Sequence, residues 1–121
     1  MPRPILDEAH IHPAVRDTVA HHFESTLREV QAALAQHAVV VVGMSGNPFC
    51  RKARKALATA GVAHHYMQYG SYFSEWRRRN ALKMWAGWAT MPMVFVKGVL
   101  VGGADDLNRL IASGELKRLL G

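Results

Sequence analysis

The chain has almost no cysteine. Cys50 is the single cysteine among 121 residues, so no disulfide can form within the chain. A protein without disulfides is typical of a reducing compartment, and we expect a cytoplasmic location. The count leaves two interpretations of Cys50 open: a packed thiol, or a thiol that reacts with a sulfur atom of another molecule.

Long apolar runs are missing as well. The longest strongly apolar run covers residues 38–42, far short of the ~20 residues that a membrane-spanning helix needs. The first eight residues include Asp7 and Glu8, whereas a secretory leader would be basic and then apolar there. We therefore expect no membrane association and no cleaved leader.

Acidic residues are scarcer than basic ones. There are 9 Asp and Glu against 15 Lys and Arg, a net charge of +6. The basic residues gather within 51–55 and 77–83, which fits either solvated helix faces or a small anionic ligand. No recognised nucleic-acid motif accompanies them, so we expect no nucleic-acid partner. The length and the average composition predict one globular domain.

Histidine pairs do not form a metal-site pattern. His10 and His12, the pair at 21–22 and the pair at 64–65 lack the spacing to cysteine or carboxylate that metal sites show. We predict no metal site.

The hydrophobic pattern predicts alternating helices and strands. Apolar residues recur every three or four positions over 13–36, which predicts helix in one or two pieces. Asn47 is a favoured N-cap and Pro48 a favoured first helical residue, so a helix should run from there to about residue 60, with Cys50 in its first turn. The other predicted elements are strands at 39–42 and 62–68, a helix at 74–85, a hairpin at 93–101, and helices at 105–112 and 115–120. This order predicts an α/β fold with a mixed four-stranded sheet sandwiched by helices.

Short motifs add a family resemblance to this outline. Asn47-Pro48-Phe49-Cys50 follows a strand and opens a helix, and it is followed by Thr90-Met91-Pro92, Gly102-Gly103-Ala104-Asp105-Asp106 and Gly114-Glu115-Leu116. In this order and spacing they resemble the glutaredoxins, which have the thioredoxin fold, and are most similar to the monothiol class. The resemblance covers residues 25–121. Residues 1–24 are then an N-terminal extension, which we expect to be helical.

The resemblance implies a glutathione site. It implies that Pro92 is cis, with Thr90 beside it, and that the backbone of Met91 pairs with the cysteine of glutathione. It also implies that backbone N–H groups at Gly103, Ala104 and Asp105 bind the γ-glutamyl carboxylate while the Asp105 side chain meets the amine. Arg79, assisted by Lys83, is implied to bind the glycine carboxylate.

The active-site motif departs from the family pattern at its first position. There the family carries the cysteine that acts as nucleophile and that, in the monothiol class, also holds a glutathione-bridged iron-sulfur cluster. Here that position is Asn47, which cannot form a mixed disulfide but is a good N-cap. Met44 and Ser45 stand where the family has a lysine that assists glutathione binding. Cys50 matches the second cysteine of the dithiol pattern, and a helix N-terminus favours its thiolate.

Three functions follow from the resemblance. One is a glutathione-dependent thiol-disulfide oxidoreductase with Cys50 as its one catalytic residue, acting with glutathione or with a glutathionylated or cysteine-containing protein. Another is a binding module that keeps the groove for glutathione or a peptide without catalysis. The third, ranked lowest, is an iron-sulfur carrier. The oligomeric state is not set by the sequence.

Overall fold

The computed structural model describes residues 2–121. The N-terminal part forms a short 3-10 turn, Glu8–His10, and two helices, α1 (Pro13–Ala20) and α2 (Glu24–Gln36). The break between them comes where Phe23 adopts a left-handed φ of 50°. No side chain of α1 is buried, whereas α2 buries three. The boundary placed at residue 24 stays a prediction.

Four strands form one mixed sheet, as the sequence predicts. They are β1 (Val39–Gly43), β2 (His65–Gln68), β3 (Met93–Val96) and β4 (Val99–Gly102), in the spatial order β2-β1-β3-β4. Strand β1 is parallel to β2 and antiparallel to β3, which pairs antiparallel with β4. The β-branched run of β1 is buried at every position, as a central strand with both faces covered should be.

Helices cover both faces of the sheet. The remaining helices are α3 (Pro48–Thr59), α4 (Trp76–Ala86), α5 (Ala104–Ala112) and α6 (Glu115–Leu120). Side chains alternate along β1, so Val40 and Val42 join the core beneath α2 and α4, while Val39 and Val41 join the core beneath α3, α5 and α6. This is the thioredoxin fold, as predicted. None of the helices within residues 2–121 has the length and apolar character needed to span a bilayer.

Two predicted element starts are wrong by two or three residues. The second strand begins at His65 rather than at Val62, because the N–H of Val62 still donates to the carbonyl of Leu57 and finishes the turn after α3. Helix α4 begins at Trp76 rather than at Ser74, because Glu75 has a left-handed φ of 59°.

The topology brings three chain segments to one edge of the sheet. The end of β1, Val42, pairs with the start of β3, Met93, and β4 ends beside β3 where Gly102 pairs with Val94. The loop before α3, the segment before β3 and the start of α5 therefore meet at this edge. These are the segments that carry the sequence motifs.

Candidate functional site

Asn47 caps helix α3. Its Oδ1 atom accepts hydrogen bonds from the backbone N–H groups of Phe49 at 2.8 Å and of Cys50 at 3.1 Å. The residue is 8% exposed, and Pro48 follows at the first helical position. Two of the N–H groups that a helix leaves unpaired at its start are thus satisfied by this one side chain.

Cys50 lies beneath the start of α3, out of reach of solvent. It is 1% exposed, and its Sγ packs so closely under β1 that a Cβ atom on Gly43 would stand 2.8 Å from it. Burial raises the pKa of the Cys50 thiol above its ordinary 9.0, outweighing the opposite effects of a backbone hydrogen bond to Met44 and the charge of Arg51. The geometry therefore favours a packed thiol, and a catalytic role for Cys50 stays an untested prediction.

A groove lies beside the cap. It has a volume of about 290 Å³ and brings together six of the residues that the resemblance implicates. The peptide bond between Met91 and Pro92 is cis, as the resemblance implies. We call this cavity the cis-proline groove; its lining is Phe49, Trp88, Thr90, Met91, Pro92, Gly103, Ala104, Asp105 and Asp106.

The start of helix α5 forms one wall of the groove. The N–H of Gly103 donates to the carboxylate of Asp106 at 3.0 Å, which turns the chain sharply into the helix. Gly102 has a φ of 116°, and a Cβ atom there would lie 2.5 Å from the Asp106 carboxylate, so this turn requires glycine. The first N–H groups of α5 are presented where the positive end of the helix dipole favours an anion.

Asp105 is held by a lysine from the opposite wall. Its Oδ1 atom lies 2.9 Å from Nζ of Lys52, a residue of α3. The hydrogen bond and charge of Lys52 lower the pKa of Asp105. Both side chains are more than half exposed, so a cation in the groove can compete with Lys52 for this carboxylate.

Trp88 lines the groove, and the N–H group of its indole ring is buried beneath the surface. Its Nε1 atom is buried and has no hydrogen-bond partner among residues 2–121. A Cβ atom on Gly103 would lie 3.7 Å from it. A buried polar group without a partner is uncommon in a folded protein, and this one faces the backbone that lines the cavity.

Arg79 is not brought to the groove. It is 6% exposed, and its Nη1 donates to the backbone carbonyls of Tyr69 and Ser74, closing the turn before α4. To bind a carboxylate in the groove, its guanidinium would have to leave these carbonyls. The contact with the glycine carboxylate of glutathione therefore stays a prediction, and Lys83 lies in a separate cavity described below.

Sequence reasoning missed three contributors to the groove. In the sequence Lys52 is one of several basic residues after Cys50, and nothing there indicates that it reaches Asp105. Phe49 and Trp88 line the cavity, with Phe49 53% exposed. An aromatic residue in the first turn of the helix that Asn47-Pro48 predicts is the sequence signal that could have identified Phe49.

The chain matches a family of known proteins. The glutaredoxin family model matches residues 39–101, from the first residue of β1 into β4. The chain is 39% identical over 102 residues to a glutaredoxin-like protein of Dictyostelium discoideum, covering 84% of this chain and 83% of that one. It is 30% identical over 92 residues to glutaredoxin-C4 of Arabidopsis thaliana, covering 76% and 68%.

Solved structures show the same fold. Wheat glutaredoxin superimposes with a TM-score of 0.69 at 29% identity, covering 79% of this chain and 89% of that one. A complex of buckwheat glutaredoxin with glutathione superimposes with a TM-score of 0.73 at 22% identity, covering 83% and 91%. At that identity the buckwheat structure is evidence for the fold alone.

Proposed function

The chain belongs to the glutaredoxin family, and on that premise we propose that it binds glutathione, or a cysteine-containing peptide, in the cis-proline groove without using a cysteine of its own as nucleophile. One observation carries the proposal. The groove is lined by residues of two sequence motifs, Thr90-Met91-Pro92 and Gly103-Ala104-Asp105-Asp106. The only cysteine is 1% exposed and does not line it.

The groove offers complementary groups for the γ-glutamyl end of glutathione. The N–H groups at the start of α5 suit its carboxylate, and the Asp105 carboxylate suits its amine. Met91, next to the cis peptide bond, lines the groove, and its backbone would pair with the cysteine residue in an extended conformation. Glutathione is the ligand to test first, because a buckwheat glutaredoxin of the same fold has been crystallised with it.

The residue at the position of the family's nucleophilic cysteine argues against disulfide chemistry. The first position of the motif holds the Asn47 amide, whose Oδ1 is occupied by two backbone N–H groups. The Cys50 thiol is buried and its raised pKa keeps it protonated at neutral pH. Attack on a disulfide needs an accessible thiolate, so the groove would hold its ligand as a reversible complex.

An iron-sulfur cluster does not fit the donor set. A cluster at this place needs a thiolate facing the groove, and the chain offers an amide there with a buried thiol below it. No cluster of three or more His, Cys, Asp or Glu side chains that could hold a metal ion occurs within residues 2–121. We therefore derive no function through a cluster.

Calorimetry with two ligands tests the proposal. Glutathione and S-methylglutathione, which cannot form a disulfide, should bind with the same affinity within about twofold, because no covalent step is involved. Replacing Asp105 by Ala should weaken both about fivefold, as expected for an exposed ionic contact. The matched control is Asp17→Ala, which removes the same charge from a fully exposed position on α1.

Either of two results would overturn the proposal. One is the absence of saturable binding of either ligand to folded protein. The other is a mixed disulfide between Cys50 and glutathione, formed when the protein is incubated with glutathione disulfide so that one glutathione leaves as its thiol, and detected by mass spectrometry; this would indicate the monothiol enzyme instead. Equal effects of Asp105→Ala and Asp17→Ala would remove the assignment of the site.

A further inference from the structure

Arg3 reaches from the N-terminal extension to the end of helix α4. Its Nη2 donates to the backbone carbonyl of Trp85 at 3.2 Å. Its guanidinium lies against Gly87, where a Cβ atom would stand 2.8 Å from Arg3 Cζ. Gly87 ends α4 with a φ of 75°, so a residue without a side chain both allows the turn and leaves room for the arginine. The extension thus fixes a cation at a defined place on the domain.

That place is a second cavity with a positive lining. It has a volume of about 460 Å³ and contains two cations, Arg3 and Lys83, with no carboxylate among its lining residues. Within residues 2–121 neither cation forms an ion pair. The carbonyl of Trp85 offers Arg3 only a partial charge, so an anion would be attracted by both side chains. We call this cavity the Arg3 surface; its lining includes Arg3, Asn80, Lys83, Met84, Gly87 and Trp88.

The Arg3 surface adjoins the cis-proline groove. Trp88 lines both cavities, and the next residues along the chain lead directly to Thr90 and Met91 in the groove. One ligand can therefore contact both. Glutathione would fill the groove, but a protein segment in the same groove would continue beyond it.

The side chains around the two cations suit a protein rather than a free ion. Met84 is 65% exposed, and Trp88 is half-buried next to it. Arginine, tryptophan and methionine are enriched in protein interfaces, where apolar contact area surrounds a few charged contacts. A small inorganic anion would leave this apolar area in water.

We propose that the Arg3 surface docks an acidic segment of a protein whose cysteine, free or glutathionylated, lies in the cis-proline groove. This inference rests on the proposed function and names the class of partner: proteins with Asp or Glu close in sequence to the cysteine. The N-terminal extension then has a role in selecting that partner, because it supplies one of the two cations.

The test compares two blocked peptides that differ only in charge. Each has one cysteine flanked on both sides by Glu in the first peptide and by Gln in the second. At low salt the wild-type protein should bind the Glu peptide about fivefold more tightly, as for a partly exposed charge contact, and the preference should shrink at high salt. Replacing Arg3 by Gln, or separately Lys83 by Gln, should reduce the preference to less than about twofold.

Arg16→Gln is the matched control. Arg16 belongs to the same extension, is exposed, and also donates to a backbone carbonyl, that of Ile11 at 2.9 Å. Arg16→Gln removes the same charge as Arg3→Gln but should keep the preference for the Glu peptide. The affinity for glutathione alone should not change in Arg3→Gln, because glutathione contacts only the cis-proline groove.

Three outcomes would overturn the inference. The first is equal affinity of wild-type protein for the two peptides, and the second is an equal reduction of the preference by Arg3→Gln and by Arg16→Gln. The third is displacement of the Glu peptide by a free dicarboxylate as effectively as by that peptide itself. If wild-type protein does not bind glutathione, that result would instead refute the proposed function. The two readouts therefore separate failure of the groove from failure of the Arg3 surface.

Discussion

The two sides of the cis-proline groove differ in how completely their polar groups are used. At the start of α3, Asn47 accepts from two backbone N–H groups and the thiol of Cys50 is buried. Across the groove, Asp105 is 63% exposed and the Nε1 atom of Trp88 has no partner within residues 2–121. One side, which we call the closed side, has its polar groups satisfied within the protein, and the other presents an exposed carboxylate whose partner, Lys52, a ligand amine can displace.

This difference separates recognition from reaction. In a thiol-disulfide enzyme the N–H groups at the start of the helix stabilise a thiolate. Here the amide oxygen of Asn47 replaces the thiolate as the acceptor for these N–H groups, so the helix start is stabilised without a reactive group. The wall formed by Thr90, Met91 and the start of α5 does not depend on whether position 47 holds asparagine or cysteine. The predictions below test each side separately.

The largest expected effect comes from restoring a thiol at position 47. In Asn47→Cys, the N–H groups of Phe49 and Cys50 that now donate to Asn47 would face the new sulfur and lower its pKa. Glutathione-dependent reduction of a mixed disulfide should rise more than about 10²-fold over wild type, since loss of a nucleophile costs an enzyme at least that much. The assay couples the formation of glutathione disulfide to NADPH oxidation by glutathione reductase.

Two further variants define what that gain means. Ser45→Cys places a thiol in the same loop, exposed but away from the cap, and should gain little. Asn47→Cys combined with Cys50→Ser should keep the gain, because a buried thiol is not required. A folded Asn47→Cys protein without activity would indicate that the opposite wall does not hold glutathione facing position 47.

Alkylation of Cys50 gives the next largest effect. The thiol should react with iodoacetamide at least about tenfold more slowly in the folded protein than in urea, because labelling requires local opening. The raised pKa adds a pH dependence: the rate in urea should level off above about 9.0, while the rate in the folded protein should keep rising. Equal rates at neutral pH would make Cys50 a reactive, accessible thiol.

Local sequence signals predict the elements that position the site. The run Val39 to Val42 is apolar on both faces and becomes the central strand, and Asn47-Pro48 starts α3 where it stands. These features depend on residues next to each other in the chain. The six groove residues were found because two short motifs carry them, and the sheet topology that joins the motifs follows from the order of elements.

Contacts between distant segments are what the sequence does not reveal. The bond between Lys52 and Asp105 joins residues 53 positions apart, and Arg3 reaches Trp85 over 82. Arg79 is the reverse case. The resemblance implies a ligand contact, which stays a prediction, while the folded chain gives its guanidinium the carbonyls of Ser74 and Tyr69 as hydrogen-bond partners. Such choices among hydrogen-bond partners depend on the folded geometry.

Removing the cap tests whether Asn47 stabilises the closed side. Asn47→Ala leaves the N–H groups of Phe49 and Cys50 without their acceptor, and it should lower the free energy of unfolding by about 1 kcal/mol. Urea denaturation followed by circular dichroism measures it. Asn80→Ala, on the exposed face of α4, is the control and should be neutral or slightly stabilising, because alanine is the better helix former. A neutral Asn47→Ala would mean that the cap contributes nothing.

The smallest expected effect concerns the lysine that joins the two sides. Binding of the glutathione amine by Asp105 must displace Lys52 Nζ, now 2.9 Å away. Lys52→Met should therefore tighten glutathione binding about twofold at low salt and leave it unchanged at high salt. Lys55→Met, which removes an exposed charge from the same helix, should not tighten it. Calorimetry at two salt concentrations makes the comparison.

The same variant has a pH dependence of known sign. Lys52 lowers the pKa of Asp105, so the carboxylate of the free wild-type protein stays ionised to lower pH than an ordinary aspartate. In Lys52→Met this support is gone, and the affinity for glutathione should begin to fall at a higher pH on acidification. If Lys52→Met weakens binding even at neutral pH, the lysine contacts the ligand carboxylate rather than competing with its amine. The closed side of the groove would then contribute to recognition as well.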